Sequence, residues 1–570
     1  MRDFMFADEA RSLRRVAECR PNAFCSVEEV CMSTTAAENA RRDSTPIDYS
    51  AMTTLGSITA YFAKRQPNAI AMRFEGRDTD YETLERHANQ VANALTASGC
   101  ASGDRIAYVG KNTDLFFELL FGAVKAGVVV APIVWRLAPP EIAQIVRDTK
   151  AGTLFIGADL WQHVDALRAE LPGVTFVPME SASNDTPDFT AWRDAASDAI
   201  VTTDIPEDHV ALQLYTSGTT GLPKGAMLSH ANILSARREA MNFPMAWNQW
   251  GSEDVSLVAM PIGHVGGVGW GLVGFFNGAR NVIMREFVPA TVLDAMERER
   301  ISKLFLVPTA LQMLLMQPRV HEIDYSNLRY ILYGAAPITV ELLRECAEVF
   351  GCGFCQQYGM TETTGTIVYL PPEDHDPRGT PRMRAAGIPL PGVEIRVVDT
   401  NRAVLPPGQT GEIESRSVSN MVGYWGKPEA TAQTVDAHGW LRTGDAGYLD
   451  EDGYLYIQDR YKDMICSGGE NVYPAEVENA IAGHPAVQTS AVFGVPDEKW
   501  GEAVRAVVVL RPDMQASEAE IIAFARTRIG GFKVPKAVDF ATALPLSPTG
   551  KVLKRVLREP YWVGRERQVN

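Results

Sequence analysis

The stretch that decides the fold is Y-T-S-G-T-T-G-L-P-K-G, residues 215–225. An apolar run at 210–215 reads as a strand leading into it, and a short apolar segment at 226–228 follows. The loop carries three glycines, four small hydroxyls and one lysine. Glycine lets backbone N–H groups converge on an anion, Thr and Ser add donors, and Lys224 adds a point charge. This composition suits a polyphosphate. It is not a Walker A loop, because Lys224 follows Pro223 and strand, not helix, comes next. A plain surface turn needs one glycine and an Asn, not this run of donors.

Outward from the loop the texture is α/β. Residues 105–109 read as an apolar strand after the turn 102–104. Residues 113–125 read as a helix stopped by Gly127, and 128–133 as a buried strand. Pro139 and Pro140 open another helix, and a strand follows at 153–156. Strands alternating with crossover helices imply parallel sheets covered on both faces, and the pattern recurs around 255–350. Residues 385–460 instead show short strands punctuated by G-Q-T-G and D-G turns, the mark of an antiparallel or barrel-like subdomain. After Arg460 a helix (475–482), two strands (487–493, 503–510) and a helix (518–529) form a separate α+β unit. The expected fold class is therefore α/β. It has a large N-terminal domain (51–461) of parallel-sheet subdomains plus a β-rich one, and a small C-terminal α+β domain (462–570). Residues 1–50 lack periodicity and read as a poorly ordered extension, with the first amphipathic pattern starting at Met52.

Composition bounds the function. The 570 residues are 46% hydrophobic and 22% charged, which supports a large core, and the net charge of −16 argues against a general nucleic-acid binder. The most apolar stretch, 119–135, is broken by Lys125, Gly122, Gly127 and Pro132 and does not read as a membrane span. The acidic N-terminus lacks a signal-peptide core. Eight scattered cysteines fit reduced thiols in a cytoplasm, and Cys352 and Cys355, without a second ligand pair, read as small core hydrophobes.

Four further strings accompany the loop in order: Y-G-M-T-E (358–362), L-R-T-G-D (441–445), D-R-Y-K-D-M-I (459–465) and S-P-T-G-K (547–551). Together they resemble the signature of the acyl-adenylate-forming enzymes, the AMP-dependent synthetases and ligases, over residues 55–560. The C-terminal segments are most similar to fatty-acyl and aryl-CoA ligases. The resemblance implies ATP-dependent conversion of a carboxylic acid to acyl-AMP and pyrophosphate, then thioester formation with CoA. ATP and Mg²⁺ are the implied cofactors and CoA the co-substrate.

It also implies roles. Thr216, Ser217, Gly218, Thr219, Thr220, Gly221 and Lys224 would hold phosphates. Tyr358 offers a flat face to adenine, Thr361 a hydroxyl to phosphate, and Glu362 a hard oxygen ligand to Mg²⁺. Gly359 and the small residues Gly334, Ala335 and Ala336 would line the nucleotide. Asp445, able to accept two ribose hydroxyls, pairs in that role with Arg460. His264, Gly267, Gly334 and Thr363 would line the acyl group; a lone His between apolar residues is also a common core residue. Lys551 would reach the α-phosphate, where charge spreads in the transition state. Domain rotation about Lys462 would then replace it with Ser467, Gly468 and Gly469, lining a pantetheine channel.

Residues 265–276 are Gly-rich and apolar with no charged reader, which favours a fatty or aryl-alkyl acid over an amino acid. Residues 243–250 fit either a lid over a long tail or a half-exposed helix end. Lys554, Arg555 and Arg558 read as a solvated helix face, and Lys533 stays open between surface and site. The partners expected are the carboxylic acid, ATP and CoA. No nucleic acid and no membrane span are expected; peripheral membrane association and a homodimer are left open. An adenylation enzyme loading a carrier protein and a non-catalytic acyl- or nucleotide-binding regulator are the competing readings.

Overall fold

A computed structural model describes residues 46–181, 187–216, 223–336, 338–376, 378, 380–460, 463–467, 470–546 and 552–563, without the side chains of Asp459, Arg460 and Asn471. The described strands form four sheets. A seven-stranded sheet has at its centre Val210–Thr216, Val129–Ile133, Arg105–Val109, Thr153–Ile156 and Thr175–Pro178, all parallel. The strand Lys224–Ser229 returns antiparallel beside Val210–Thr216, and Gly423–Tyr424 caps that edge. A nine-stranded sheet runs Ile388–Pro389, Gly365–Leu370, Gly353–Met360, Tyr330–Gly334, Lys303–Leu306, Val255–Val258, Arg280–Ile283, Ile70–Phe74, Arg77–Asp80. Its six central strands are parallel. The 385–460 region supplies a four-stranded antiparallel sheet, Glu394–Val398, Gly411–Arg416, Leu441–Leu449 and Leu455–Arg460.

Helices form where the sequence provides caps and continuous apolar faces. Thr113 accepts the Leu115 amide and starts Asp114–Lys125, and Gly127 ends that segment at φ 72°. Pro139 occupies the first turn of Pro139–Thr149. Asp114–Lys125 and Val265–Phe276 are apolar around most of their circumference because they lie in the interior, joined by Phe117 and Phe121 against Phe275 at 5.0 and 5.2 Å. Glycine makes this possible: a Cβ on Gly271 would stand 2.6 Å from the Phe117 ring, and one on Gly122 2.4 Å from Val91.

Residues 1–45, the bulk of the expected N-terminal extension, lie outside the described residues. Packed structure begins before Met52: Tyr49 stacks on Phe276 at 5.0 Å and donates its hydroxyl to Asn277 Oδ1 at 2.8 Å. A single aromatic in a polar stretch has no period to reveal it. The C-terminal unit holds the two expected helices and long strands, as Pro474–Ala482, Glu518–Arg526, Val487–Asp497 and Gly501–Leu510. It adds short strands at Ile465–Ser467, Glu470–Val472 and Ala537–Phe540 and a helix, Lys554–Trp562. Lys554 and Arg558, expected on a solvated face, pair with Glu478 (2.9 Å) and Asp463 (3.8 Å), and Lys533 pairs with Glu476 (2.7 Å). Cys355 is fully buried, and burial pushes the Cys352 thiol up to about 12, as small core residues require.

Residues 243–250, expected as a lid over a long tail or a half-exposed helix end, carry one short turn. The turn Ala246–Asn248 buries Trp247 against Tyr369 (5.2 Å), and Trp250 sits 5.8 Å from Trp270. The fastener is Lys303, whose fully buried ammonium donates to Trp247 O (3.1 Å) and to Gln249 O and lies 4.3 Å from the centre of the Trp250 ring. Asp254, paired with Arg329, stands 3.9 Å away. Burial lowers the Lys303 pKa to about 7. Between pH 7 and about 10 the unfolded chain therefore binds a proton that the folded chain releases, and stability rises with pH; below pH 7 both forms are protonated and the cost of burial is fully felt. The stability difference between the unmodified protein and Lys303→Met, measured by urea unfolding, should move in favour of the unmodified protein by on the order of 4 kcal/mol from pH 7 to 10. A difference that stays constant with pH would remove Lys303 as a titrating group in that range.

Candidate active site

Parallel strands bring their carboxyl ends to one edge, and the segments leaving that edge are where ligands meet open α/β sheets. Val255–Val258 leads to His264, Tyr330–Gly334 to Ala335 and Ala336, and Gly353–Met360 to the single turn Thr361–Thr363. The expected nucleotide and acyl residues thus follow three strands of one sheet.

The backbone there is shaped by close approach. Gly334 is opposite Gln357, and a Cβ on it would stand 2.1 Å from Gln357 O. Ala335 follows at φ 66°, a left-handed conformation that a non-glycine residue holds only under constraint. Gly359 sits where the register slips against Gly365–Leu370, and a Cβ there would stand 1.8 Å from Gly365 O. The turn itself is tied by Thr363, whose hydroxyl receives the Met360 amide at 3.0 Å and donates to Gly365 O at 2.7 Å.

This turn delivers Glu362 into the interior, 5% exposed. Its Oε1 accepts a hydrogen bond from Thr216 Oγ1 (3.1 Å) and another from the Tyr424 hydroxyl (2.8 Å), while Met421 N donates to its carbonyl (2.8 Å). Thr216 ends the strand before the glycine-rich loop and faces Lys224 across the neck of that hairpin. Lys224 Nζ lies 5.0 Å from the centre of the Tyr424 ring. Tyr424 comes from the edge strand Gly423–Tyr424, in register with Ala226. Burial and the adjacent Glu362 carboxylate hold the Tyr424 phenol well above its ordinary range, so it stays a proton donor. Tyr215, one residue before Thr216, is fixed from behind by donating to Asp148 Oδ2 at 2.7 Å.

A second pair lies alongside. The Tyr358 hydroxyl donates to Asp445 Oδ2 at 2.8 Å, and Asp445 is in register with Arg460 on the neighbouring strand. His264 is the residue before helix Val265–Phe276, whose first turn folds back onto its carbonyl. Gly267, expected to line the acyl group, is buried, and a Cβ on it would stand 2.1 Å from Pro261 O, so this position needs glycine for close packing. The open sides belong to Gly269 and Gly365, where an added Cβ would meet nothing closer than 3.7 Å.

Ser217, Gly218, Thr219, Thr220, Gly221, Lys462, Gly468, Gly469 and Lys551 lie outside the described residues, as does the Arg460 side chain. Ser467 is buried in the strand Ile465–Ser467 of the C-terminal unit. Sequence reasoning missed Tyr424. It stands in N-M-V-G-Y-W-G with no period around it, and only the strand pairing aims it at Glu362.

Among the described residues no cluster of three or more His, Cys, Asp or Glu side chains is placed to cage a metal. One anchored carboxylate beside a loop of hydroxyls fits Mg²⁺, which takes few protein ligands and completes its shell with water and phosphate oxygens.

Comparison with known proteins agrees. A family model described as AMP-binding enzyme matches residues 60–425, and one described as AMP-binding enzyme C-terminal domain matches 476–551. A fatty acid–[acyl-carrier-protein] ligase, ScoC of Streptomyces coeruleorubidus, is 41% identical over 518 residues, 91% of this chain and 98% of that one. A feruloyl-CoA synthase from an Amycolatopsis species is 37% identical over 89% of this chain and 99% of that one. The crystal structure of ATP-bound MatB from Rhodopseudomonas palustris superposes with a TM-score of 0.80 at 33% identity, covering 89% of this chain and 99% of that one.

Replacing Tyr424 with Phe removes one of the two hydroxyls that orient Glu362. Losing a partner of a metal-ligating group typically costs 10- to 100-fold. The Mg²⁺ concentration for half-maximal ATP–pyrophosphate exchange should therefore rise by about 10-fold or more in Tyr424→Phe. A Mg²⁺ titration superimposable on that of the unmodified protein would refute the assignment.

Proposed function

The chain belongs to the AMP-binding enzyme family of adenylate-forming ligases, and from that premise we propose that it is an acyl-CoA ligase acting on a hydrophobic fatty or aryl-alkyl carboxylic acid. The observation that carries this reading is the buried Glu362 carboxylate, held by Thr216 and Tyr424 next to Lys224 at the mouth of the glycine-rich hairpin.

A carboxylate is a poor electrophile because oxide is a poor leaving group. Attack of its oxygen on the α-phosphorus of ATP forms an acyl–O–P bond and expels pyrophosphate. A thiolate then attacks the acyl carbon and AMP leaves. In this scheme Thr216, the loop residues 217–221 and Lys224 hold the phosphates, and Thr361 adds a hydroxyl. Gly334, Ala335, Ala336 and Gly359 keep backbone against the nucleotide, and Tyr358 gives adenine a flat face. Asp445, oriented by the Tyr358 hydroxyl, accepts the ribose hydroxyls together with Arg460. Glu362 would hold Mg²⁺, which when bound supplies charge neutralisation at the phosphates. His264 and Thr363 border the acid. Lys551 places a cation where charge spreads at the α-phosphorus. Rotation at Lys462 then exchanges Lys551 for the 467–469 segment and opens a path for a pantetheine thiol.

The acceptor has a second reading. The 41% identical relative bears the name of an acyl-carrier-protein ligase, whereas the feruloyl relative bears that of a CoA ligase. Both end in the same thiol, so the adenylation half is common to them.

Lys551→Ala should lower ATP–pyrophosphate exchange by about 10²–10³ while sparing thioester formation from supplied acyl-AMP. Parallel collapse of both half-reactions in a folded protein would contradict the alternation. After pyrophosphate exchange has picked the acid from a panel, CoA and a holo-carrier protein are offered separately, with thioester read by mass spectrometry. CoA thioester is the expected product, and turnover with the carrier alone would replace the CoA reading by the second one. Absence of exchange with every acid would sink the adenylation reading itself.

A further inference from the structure

The Gly-rich helix Val265–Phe276 contributes no charge of its own, yet the fold brings one to it. Helix His230–Ala240 starts from Ser229, directly after the strand that carries Lys224. Two consecutive arginines on it part company. Arg238 turns outward to Glu207 (2.6 Å). Arg237 turns the other way, and its Nη2 comes within 3.7 Å of the Cβ position of Gly269. Among the described residues it makes one bond, to its own helix, Nε donating to Ile233 O at 2.8 Å, and no acid there pairs with it. The guanidinium lies deep enough for burial to lower its pKa to about 10, so it is charged at neutral pH, but it keeps accessible surface. It therefore stands beside the open side of Gly269.

The surroundings of that glycine are identifiable. Beyond the Gly269 Cβ position the neighbours within 4 Å are Arg237 Nη2 and Val265 Cγ2, and beyond that of Gly365 the neighbour is Val265 Cγ2 again, at 3.8 Å. Val265 thus bridges two glycines with open sides. One is on the helix after His264, and the other lies two residues past the Thr363 turn that delivers Glu362. An acid whose carboxylate reacts near Glu362 would extend along Val265 and reach Arg237. A buried guanidinium with no protein counter-ion is costly, and a bidentate oxyanion is the partner its fork geometry matches.

We propose that Arg237 is a specificity-determining residue that receives a second, distal carboxylate on the acyl substrate, so that the acids this enzyme activates are dicarboxylic. This rests on the adenylation reading of the site and replaces a wholly hydrophobic acid by one with a charged far end. The test compares ATP–pyrophosphate exchange for α,ω-dicarboxylic acids of increasing length with their monomethyl half-esters, in the full-length protein and in Arg237→Met and Arg237→Lys. Hydrogen bonds to charged groups are worth about 1.5–3 kcal/mol, a factor of roughly 10–150. The unmodified protein should prefer a diacid over its half-ester at one chain length. Arg237→Met should reduce that kcat/KM ratio by about 10- to 100-fold, and Arg237→Lys, which keeps charge without the fork, by less. Absence of preference in the unmodified protein, or variants that slow diacid and half-ester by the same factor with an unaltered melting temperature, would overturn the proposal while leaving adenylation standing. Absence of exchange with any acid would instead point to failure of the underlying reading.

Discussion

Glu362 is a carboxylate withdrawn from water with hydroxyls as its hydrogen-bonding neighbours, and the geometry of the site depends on that arrangement. A buried carboxylate is tolerated when its oxygens are hydrogen-bonded, and here the donors come from distant parts of the chain. Thr216 belongs to the hairpin of the seven-stranded sheet, Tyr424 to the short strand on that hairpin's far side, and Glu362 to the turn closing a strand of the nine-stranded sheet. The carboxylate is where two sheets are pinned to each other. Their separation sets how far Thr216 and Lys224 stand from the nucleotide residues expected on the other sheet.

Holding the sheets in that relation takes a filled interior. Two largely apolar helices, Asp114–Lys125 and Val265–Phe276, supply it, and their glycines allow contacts that a Cβ would forbid. The second helix has two uses. Gly267 and Gly271 face packed atoms and serve the core, whereas a Cβ on Gly269 would meet nothing closer than 3.7 Å. One apolar string therefore contains residues that hold the fold and residues that leave room for a ligand. Lys303 works at a comparable junction, fastening the turn around Trp247 through two carbonyls and one indole ring.

A stretch of sequence without charge does not by itself decide what faces it. Residues 265–276 indeed contain no polar reader, but pockets are lined by several elements. Arg237 lies on a helix that begins with the hairpin's outgoing strand, and its neighbour Arg238 looks the same in sequence. Which of two adjacent arginines turns inward depends on the helix rotation, fixed by the packing of Ile233 and Leu234 and by Asn232 donating to Val418 O. The packing of residues 243–250 is likewise set from a distance. Their tryptophans are pinned by a lysine more than fifty residues away in sequence.

Sequence by itself determined the elements and the chemistry offered at their ends, because caps, glycines, periodicity and motif spacing act over a few residues. It placed the parallel strands, the β-rich segment and the strands flanking the glycine-rich loop close to where they lie. The tertiary structure alone decided which side chains meet. Tyr424 on Glu362, Tyr358 on Asp445 and Arg237 on the open side of Gly269 each join residues at least 32 positions apart. Such contacts follow from the register of strands and the rotation of helices against a shared core, and long-range packing selects these as a whole.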